Sequence, residues 1–196
     1  MHHYSTKKKS SPSKHHGFTL LELAIVLAIV MALTFFSGPA FSSFIAKQQV
    51  TNLMLQLRAL ISLAREDAVS YNRPTTLCGI DSDGKCIRSW KNTVVVFIDS
   101  NLNKRIDEDE TVLQQHNIST HHGHIELRAF GGARIQFKND GTTENNSSLY
   151  FCPSEENSKL IRKMITNKLG RTYSLTDNNF DGYIDSPDGE TPITCE

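Results

Sequence analysis

The sequence predicts an α+β fold in which one long N-terminal helix packs on an antiparallel β-sheet domain. Three observations carry that reading. Residues 23–46 are uncharged, 24 positions in a row. Apolar residues then recur every three or four positions as far as Ala68, the spacing of one face of an amphipathic helix. Beyond Pro74 the period changes to two, and short apolar runs alternate with clusters of Gly, Asn and Asp, as strands joined by turns do. A helix with a single apolar face needs a sheet to cover it.

The elements follow in order. Residues 1–17 are expected to form a leader segment; its first 16 positions hold Lys7, Lys8, Lys9 and Lys14, four histidines and no acid, and such a segment would stay on the cytoplasmic side of a membrane. Residues 18–46 are expected to form the transmembrane first half of the helix, since the uncharged run can cross a hydrocarbon core of about 30 Å. Glu22 is the one ionisable side chain between Gly17 and Lys47. A carboxylate there costs about 2.5–3.5 kcal/mol on insertion scales, so it is expected to have a partner; a signal anchor with a stray acid leaves that cost unexplained. A secretory signal would be cut after its apolar segment, whereas the small-residue junction here, Gly17/Phe18, precedes it.

Residues 47–73 are expected to form the amphipathic helix half, with Val50, Leu53, Met54, Leu57, Leu60, Ile61, Ala64 and Ala68 on its face. From Phe18 to Tyr71 the helix would run about 80 Å at 1.5 Å per residue. Gly38-Pro39 is expected to kink or locally melt it, and Arg73-Pro74 to end it. Within the globular part, 74–196, strands are expected at 75–80, 92–98, 111–115, 124–127, 133–137, 148–152 and 171–175. The stretch 159–166 reads as a strand or a short helix. A length of about 120 residues suits one small domain.

Charge and cysteine content narrow the function classes. The chain has 21 basic and 21 acidic residues, and losing the four leader lysines leaves 17 against 21, so no general basicity points to nucleic acid. Cys78, Cys86, Cys152 and Cys195 allow three pairings. Cys78 and Cys86 bracket the turn-forming stretch 79–85, which favours Cys78–Cys86 and Cys152–Cys195 in an oxidising compartment. Zinc is the rival reading, but the spacing lacks the Cys-x2-Cys or Cys/His pairs of such sites. For catalysis there is no Gly-x-Ser-x-Gly elbow, no phosphate-cradling loop and no His-Glu-x-x-His, so the chain is not read as an enzyme. His121-His122-Gly123-His124 reads as a solvated turn.

Two acidic loops have the ligand spacing of calcium loops. Residues 177–188 place Asp177, Asn179, Asp181, Asp185 and Asp188 at loop positions 1, 3, 5, 9 and 12, with Gly182 at position 6. Residues 99–110 repeat the spacing but put Lys104 where the sharp turn wants Gly. The alternative for both is a polar hairpin turn, because Asp and Asn hydrogen-bond their own backbone.

Gly17-Phe18-Thr19-Leu20-Leu21-Glu22, followed by the apolar helix, resembles the start of type IV prepilins and type II secretion pseudopilins. The resemblance implies cleavage after Gly17 by a prepilin peptidase and N-methylation of Phe18. It also implies subunit assembly through pairing of Glu22 with the Phe18 α-ammonium of a neighbour. Ala64-Arg65-Glu66-Asp67-Ala68, Thr76-Leu77-Cys78, Trp90, Val96-Phe97-Ile98-Asp99-Ser100-Asn101 and Glu110-Thr111-Val112-Leu113 narrow it to the family uniting H-type secretion pseudopilins with the T and U types of minor type IV pilin. That likeness implies a type IV pilin-like fold, a single pass through the inner membrane and a periplasmic C-terminal domain. The partners it implies are other pilins or pseudopilins and an inner-membrane assembly platform. No cofactor is expected, and calcium is the ion that the acidic loops suggest. Gly170-Arg171 resembles the Gly-Arg-x-Arg element through which some T-type minor pilins bind DNA during uptake, with Tyr173 in place of the second Arg. Arg162, Lys163, Lys168 and Arg171 are the candidate DNA contacts.

Overall fold

The computed structural model describes residues 17–118, 122–154, 157–188 and 191–195, with backbone alone for 35–40. Two compact units divide between Ser42 and Ser43. The helix α1 spans Leu20–Ser70. Thr19 caps it, its Oγ1 accepting the Glu22 amide at 3.2 Å and so satisfying one of the donors that a helix start leaves unpaired. Thr19-Leu20-Leu21-Glu22 has the spacing of a capping box. Helical backbone continues through Gly38-Pro39, so the local melt expected there does not occur; a proline removes its own amide's bond while flanking residues keep theirs.

In the second unit every residue of the face read from the sequence, from Val50 to Ala68, is buried, and Ala46 joins it. The helix ends three residues before Arg73. Asn72 takes φ 51°, a left-handed conformation that Asn tolerates and that stops helices, and the Arg73 amide returns to the Ala68 carbonyl at 3.2 Å. Buried Asp67 ties this end down: it accepts Arg73 Nη2 at 2.6 Å, Arg73 Nε at 3.0 Å and Thr75 Oγ1 at 2.6 Å. The Arg73 hydrogen bond outweighs burial and holds the Asp67 carboxyl below its ordinary pKa.

The strands are β1 Thr75–Ile80, β2 Cys86–Ile87, β3 Ser89–Trp90, β4 Thr93–Ile98, β5 Val112–Asn117, β6 Gly123–Ala129, β7 Ile135–Phe137, β8 Ser147–Pro153, β9 Arg162–Thr166 and β10 Thr172–Ser174. They form two antiparallel sheets where the sequence suggested one. The first runs β2-β1-β4-β5, with β7 also on β1, and the second runs β10-β9-β8-β6-β3. The stretch 159–166 divides into a 3-10 turn, Ser158–Leu160, and β9.

Both sheets share the α1 face. Leu77, Val94, Val96 and Phe137 from the first, and Trp90, Ile125, Leu127, Leu149, Phe151 and Met164 from the second, close one core with the helix. The far side of the first sheet is apolar too, with Cys78, Cys86, Val95 and Phe97 covered by Ile106 of the 99–110 loop. Ile161, Ile184 and Ile193 form a third cluster with Leu175 and Cys195. Disulfides Cys78–Cys86 and Cys152–Cys195 have Cα separations of 5.5 and 5.8 Å, inside the ordinary span.

Candidate functional site

The N-terminal segment presents its chemistry openly. A side chain at Gly17 would meet nothing within 4 Å, and Phe18 is 79% exposed. Glu22 is exposed in the first turn of α1, where a negative charge also complements the helix dipole. From Leu20 to Leu33 the apolar side chains are exposed on every side of the helix. Among the described residues no helix is long and apolar enough to cross a membrane; described side chains of the uncharged run stop at Thr34 and resume at Phe41. The leader lysines and His121 lie outside the described residues.

The two acidic loops share one backbone design. Positions 4 and 6 are left-handed in both: Leu102 and Lys104 at φ 61° and 68°, Phe180 and Gly182 at φ 62° and 91°. Lys104 thus adopts the conformation for which glycine is the usual residue. Side-chain oxygens at positions 3 and 5 accept amides two residues on: Asn101 from Asn103 at 3.0 Å and Asn103 from Arg105 at 2.8 Å, Asn179 from Asp181 at 3.0 Å and Asp181 from Tyr183 at 2.8 Å. In the first loop Asp107 Oδ2 accepts both the Asn101 and Asn103 amides, at 2.7 and 2.6 Å, and Glu110 accepts the Ser100 amide at 3.0 Å. Burial raises the Glu110 pKa, and the charges of Asp99 and Asp107 add to the rise. In the second, Asp177 Oδ2 accepts the Gly182 amide and Asp185 Oδ2 the Asn178 amide, each at 2.8 Å. Asp188 accepts the Ser186 hydroxyl.

The four candidate DNA contacts do not form one cluster. Arg162 and Lys163 are consecutive in β9 and point to opposite sides of the sheet. Arg162 donates to the Lys159 and Ile161 carbonyls at 2.9 and 2.7 Å, and burial lowers its pKa. Lys163 lies 4.9 Å from the Tyr150 ring centre, and Lys168 is exposed in the β9–β10 turn. Arg171 instead joins two helix residues that the sequence reading missed, Arg58 and Arg65, around a groove of about 580 Å³ that Glu66 also lines. Their signal is a spacing of seven, which keeps both on one side of α1. Arg65 donates to the Gly141 and Leu169 carbonyls at 3.1 and 3.3 Å, and among the described residues no carboxylate pairs with any of the three arginines. Gly170 has a backbone reason: at φ 72° its Cβ would fall 2.0 Å from the Gly141 oxygen.

The histidine stretch is not wholly a solvated turn. His122 meets Gln49 Oε1 at 2.9 Å and His124 lies in β6. His124, Glu126 and Cys152 bring ligand atoms within 4.8 Å of one another, but the Cys152 sulfur is committed to Cys195.

A capped, apolar helix start in a chain whose second unit is a helix face closed by two antiparallel sheets is the build of the pilin-like class. The family described as type II transport protein GspH matches residues 54–170, and the prokaryotic N-terminal methylation motif matches residues 12–36. The chain belongs to the GspH family. Its fold is similar to that of the type IV minor pilin FimU of Pseudomonas aeruginosa PAO1, with TM-score 0.53 at 15% identity over 68% of this chain and 92% of that one. The minor pseudopilin EpsH from the Type 2 Secretion System of Vibrio cholerae is also similar, with TM-score 0.42 at 12% identity over 68% of this chain and 98% of that one. No curated protein matches the chain.

Proposed function

We propose that this chain is a filament subunit of a type IV pilus or type II secretion pseudopilus that acts by assembly and not by catalysis. In this reading residues 18–46 anchor it in the inner membrane and the sheet domain lies in the periplasm. A prepilin peptidase cuts after Gly17 and methylates Phe18, and Glu22 pairs with the Phe18 α-ammonium of a neighbouring pilin on the assembly platform. The observation that carries the reading is the start of α1, residues 20–33, whose apolar side chains are exposed on all sides with Glu22 as the one charge. A helix of that kind is at home in lipid or among other helices, and a lone carboxylate there needs a cationic partner.

Glu22→Gln tests it, because Gln also serves a capping box and so removes the charge while keeping the cap. Losing one partner of a buried pair costs about 3–5 kcal/mol, which is two orders of magnitude or more in association. The variant should insert and be cleaved, with mass spectrometry showing loss of residues 1–17 and gain of one methyl, yet filaments or secretion should fail. Normal assembly would overturn the pairing.

A second reading, DNA contact in uptake, is favoured by the groove that holds Arg58, Arg65 and Arg171. Three guanidiniums without carboxylate partners suit a phosphate backbone. Arg171→Ala and Arg58→Ala should each weaken duplex binding across sequences and flatten its salt slope by about one unit. Binding in anisotropy titrations indifferent to both would remove this reading.

A further inference from the structure

We propose that the loops 99–110 and 177–188 each bind a calcium ion, making the domain a paired calcium-dependent module. The argument starts from buried atoms. Among the described residues three carboxylate oxygens are buried without a hydrogen-bond partner: Asp99 Oδ1, Asp177 Oδ1 and Asp185 Oδ1. All three belong to these loops, at positions 1, 1 and 9. Asp99 is 0% exposed and Asp185 1%, and a buried charged oxygen left unmatched is costly.

Hydrogen bonds to the other oxygen fix how each carboxylate is turned. In the second loop Asp177 and Asp185 each commit Oδ2 to a loop amide, of Gly182 and of Asn178, which turns both carboxylates toward the loop and leaves each Oδ1 unmatched. Lys159 sits 5.2 Å from the Tyr183 ring centre and Arg162 donates to the Lys159 and Ile161 carbonyls, and neither pairs with these oxygens. In the first loop Asp99 Oδ2 faces Thr76 Oγ1 at 3.4 Å and Gln136 Nε2 at 3.3 Å on the sheet.

The donor set selects the ion. Asp99, Asn101, Asn103, Asp107 and Glu110, with the Arg105 carbonyl at position 7, are hard oxygens at the calcium-loop positions, including the Glu at position 12 that binds through both oxygens. The second loop supplies the same positions with Asp188 last. Neither loop contains His or Cys, so softer transition metals are disfavoured. In neither loop do three carboxylates yet lie within 4.8 Å of one another, so the ion would draw a ligand inward. The consequence is mechanical: Ile106 of one loop packs on Cys78, Val95 and Phe97 of the first sheet and Ile184 of the other packs with Ile161 and Ile193, and calcium would fix both contacts. This inference stands apart from the filament reading.

The test is calorimetric titration of calcium chloride into the chelator-stripped, detergent-solubilised full chain, with melting curves in parallel. Two equivalents are expected, with Kd in the range of about 10⁻⁴–10⁻³ M usual for extracellular modules. Melting should rise by about 3–6 °C per site at calcium tenfold above Kd, and magnesium should not replace it. Asp99→Asn and Asp185→Asn should each lose one equivalent. Both should melt at or above the parent in chelator, where a buried charge has been removed, and below it in calcium. Absent heat, melting indifferent to calcium, or variants destabilised equally with and without calcium would overturn the proposal. One equivalent lost in one variant and kept in the other would confine the ion to the first variant's loop and overturn the pairing.

Discussion

The two halves of α1 differ in composition, the first carrying one charge and the second Lys47, Arg58, Arg65, Glu66 and Asp67, and they face opposite problems. Between Leu20 and Leu33 each apolar side chain is exposed, whereas between Ala46 and Ala68 one face is buried and polar residues occupy the other. The first pattern has no preferred side and suits a surrounding that is apolar in all directions; the second has a side and is stabilised by a core. One helix can therefore be a membrane and filament element at its start and a domain element at its end, and mutations should separate the two.

The largest effect is expected where the comparison is sharpest. Leu57 is fully buried in the core that the helix shares with the two sheets, so Leu57→Ala should destabilise the domain by about 2–5 kcal/mol through lost burial and a residual cavity. Leu27→Ala, on the exposed half, should leave urea unfolding of the full chain within about 0.5 kcal/mol. Equal losses at the two positions would erase the distinction between the halves.

Much of this division was legible in the sequence, because a helix face needs only regular spacing to be seen. The strands read at 75–80 and 92–98 were also visible as apolar runs, and β1 and β4 occupy them. The two-sheet arrangement was not: β2 and β3 are two residues each, too short to carry a period, and Val94 to Phe97 are buried on both faces, which removes alternation. Ligand spacing in the acidic loops could be counted, yet the left-handed Lys104 could not, since non-glycine residues seldom adopt that conformation. The joining of Arg171 to Arg58 and Arg65 depends on how the β9–β10 hairpin meets the helix. No local pattern encodes a contact between residues so distant in sequence.

A middle-sized effect tests where the domain half of the helix ends. Asp67→Asn removes the charge that Arg73 and Thr75 satisfy, at a cost of about 1.5–3 kcal/mol for charged hydrogen bonds. The folded pKa of Asp67 is depressed, chiefly by Arg73, so its contribution is full above the unfolded value of about 3.9 and disappears as pH falls through the folded value. Urea unfolding at pH 7 and under acid should show the parent losing stability on acidification and Asp67→Asn losing less. Parallel pH profiles would mean that the latch contributes little.

The smallest effect lies at the other end and separates capping from charge. Thr19→Ala deletes the oxygen that accepts the Glu22 amide and should cost about 1 kcal/mol of local helix stability, read as faster amide exchange in the first turn. Domain unfolding should not change, because Thr19 and the core belong to different compact units. Thr19→Ala keeps the carboxylate and loses the cap, and Glu22→Gln does the reverse. If filament assembly needs the charge, Thr19→Ala should assemble with at most a modest deficit while Glu22→Gln fails. If the carboxylate served only to start the helix, the order would invert, with the uncapped variant failing and the Gln variant assembling normally.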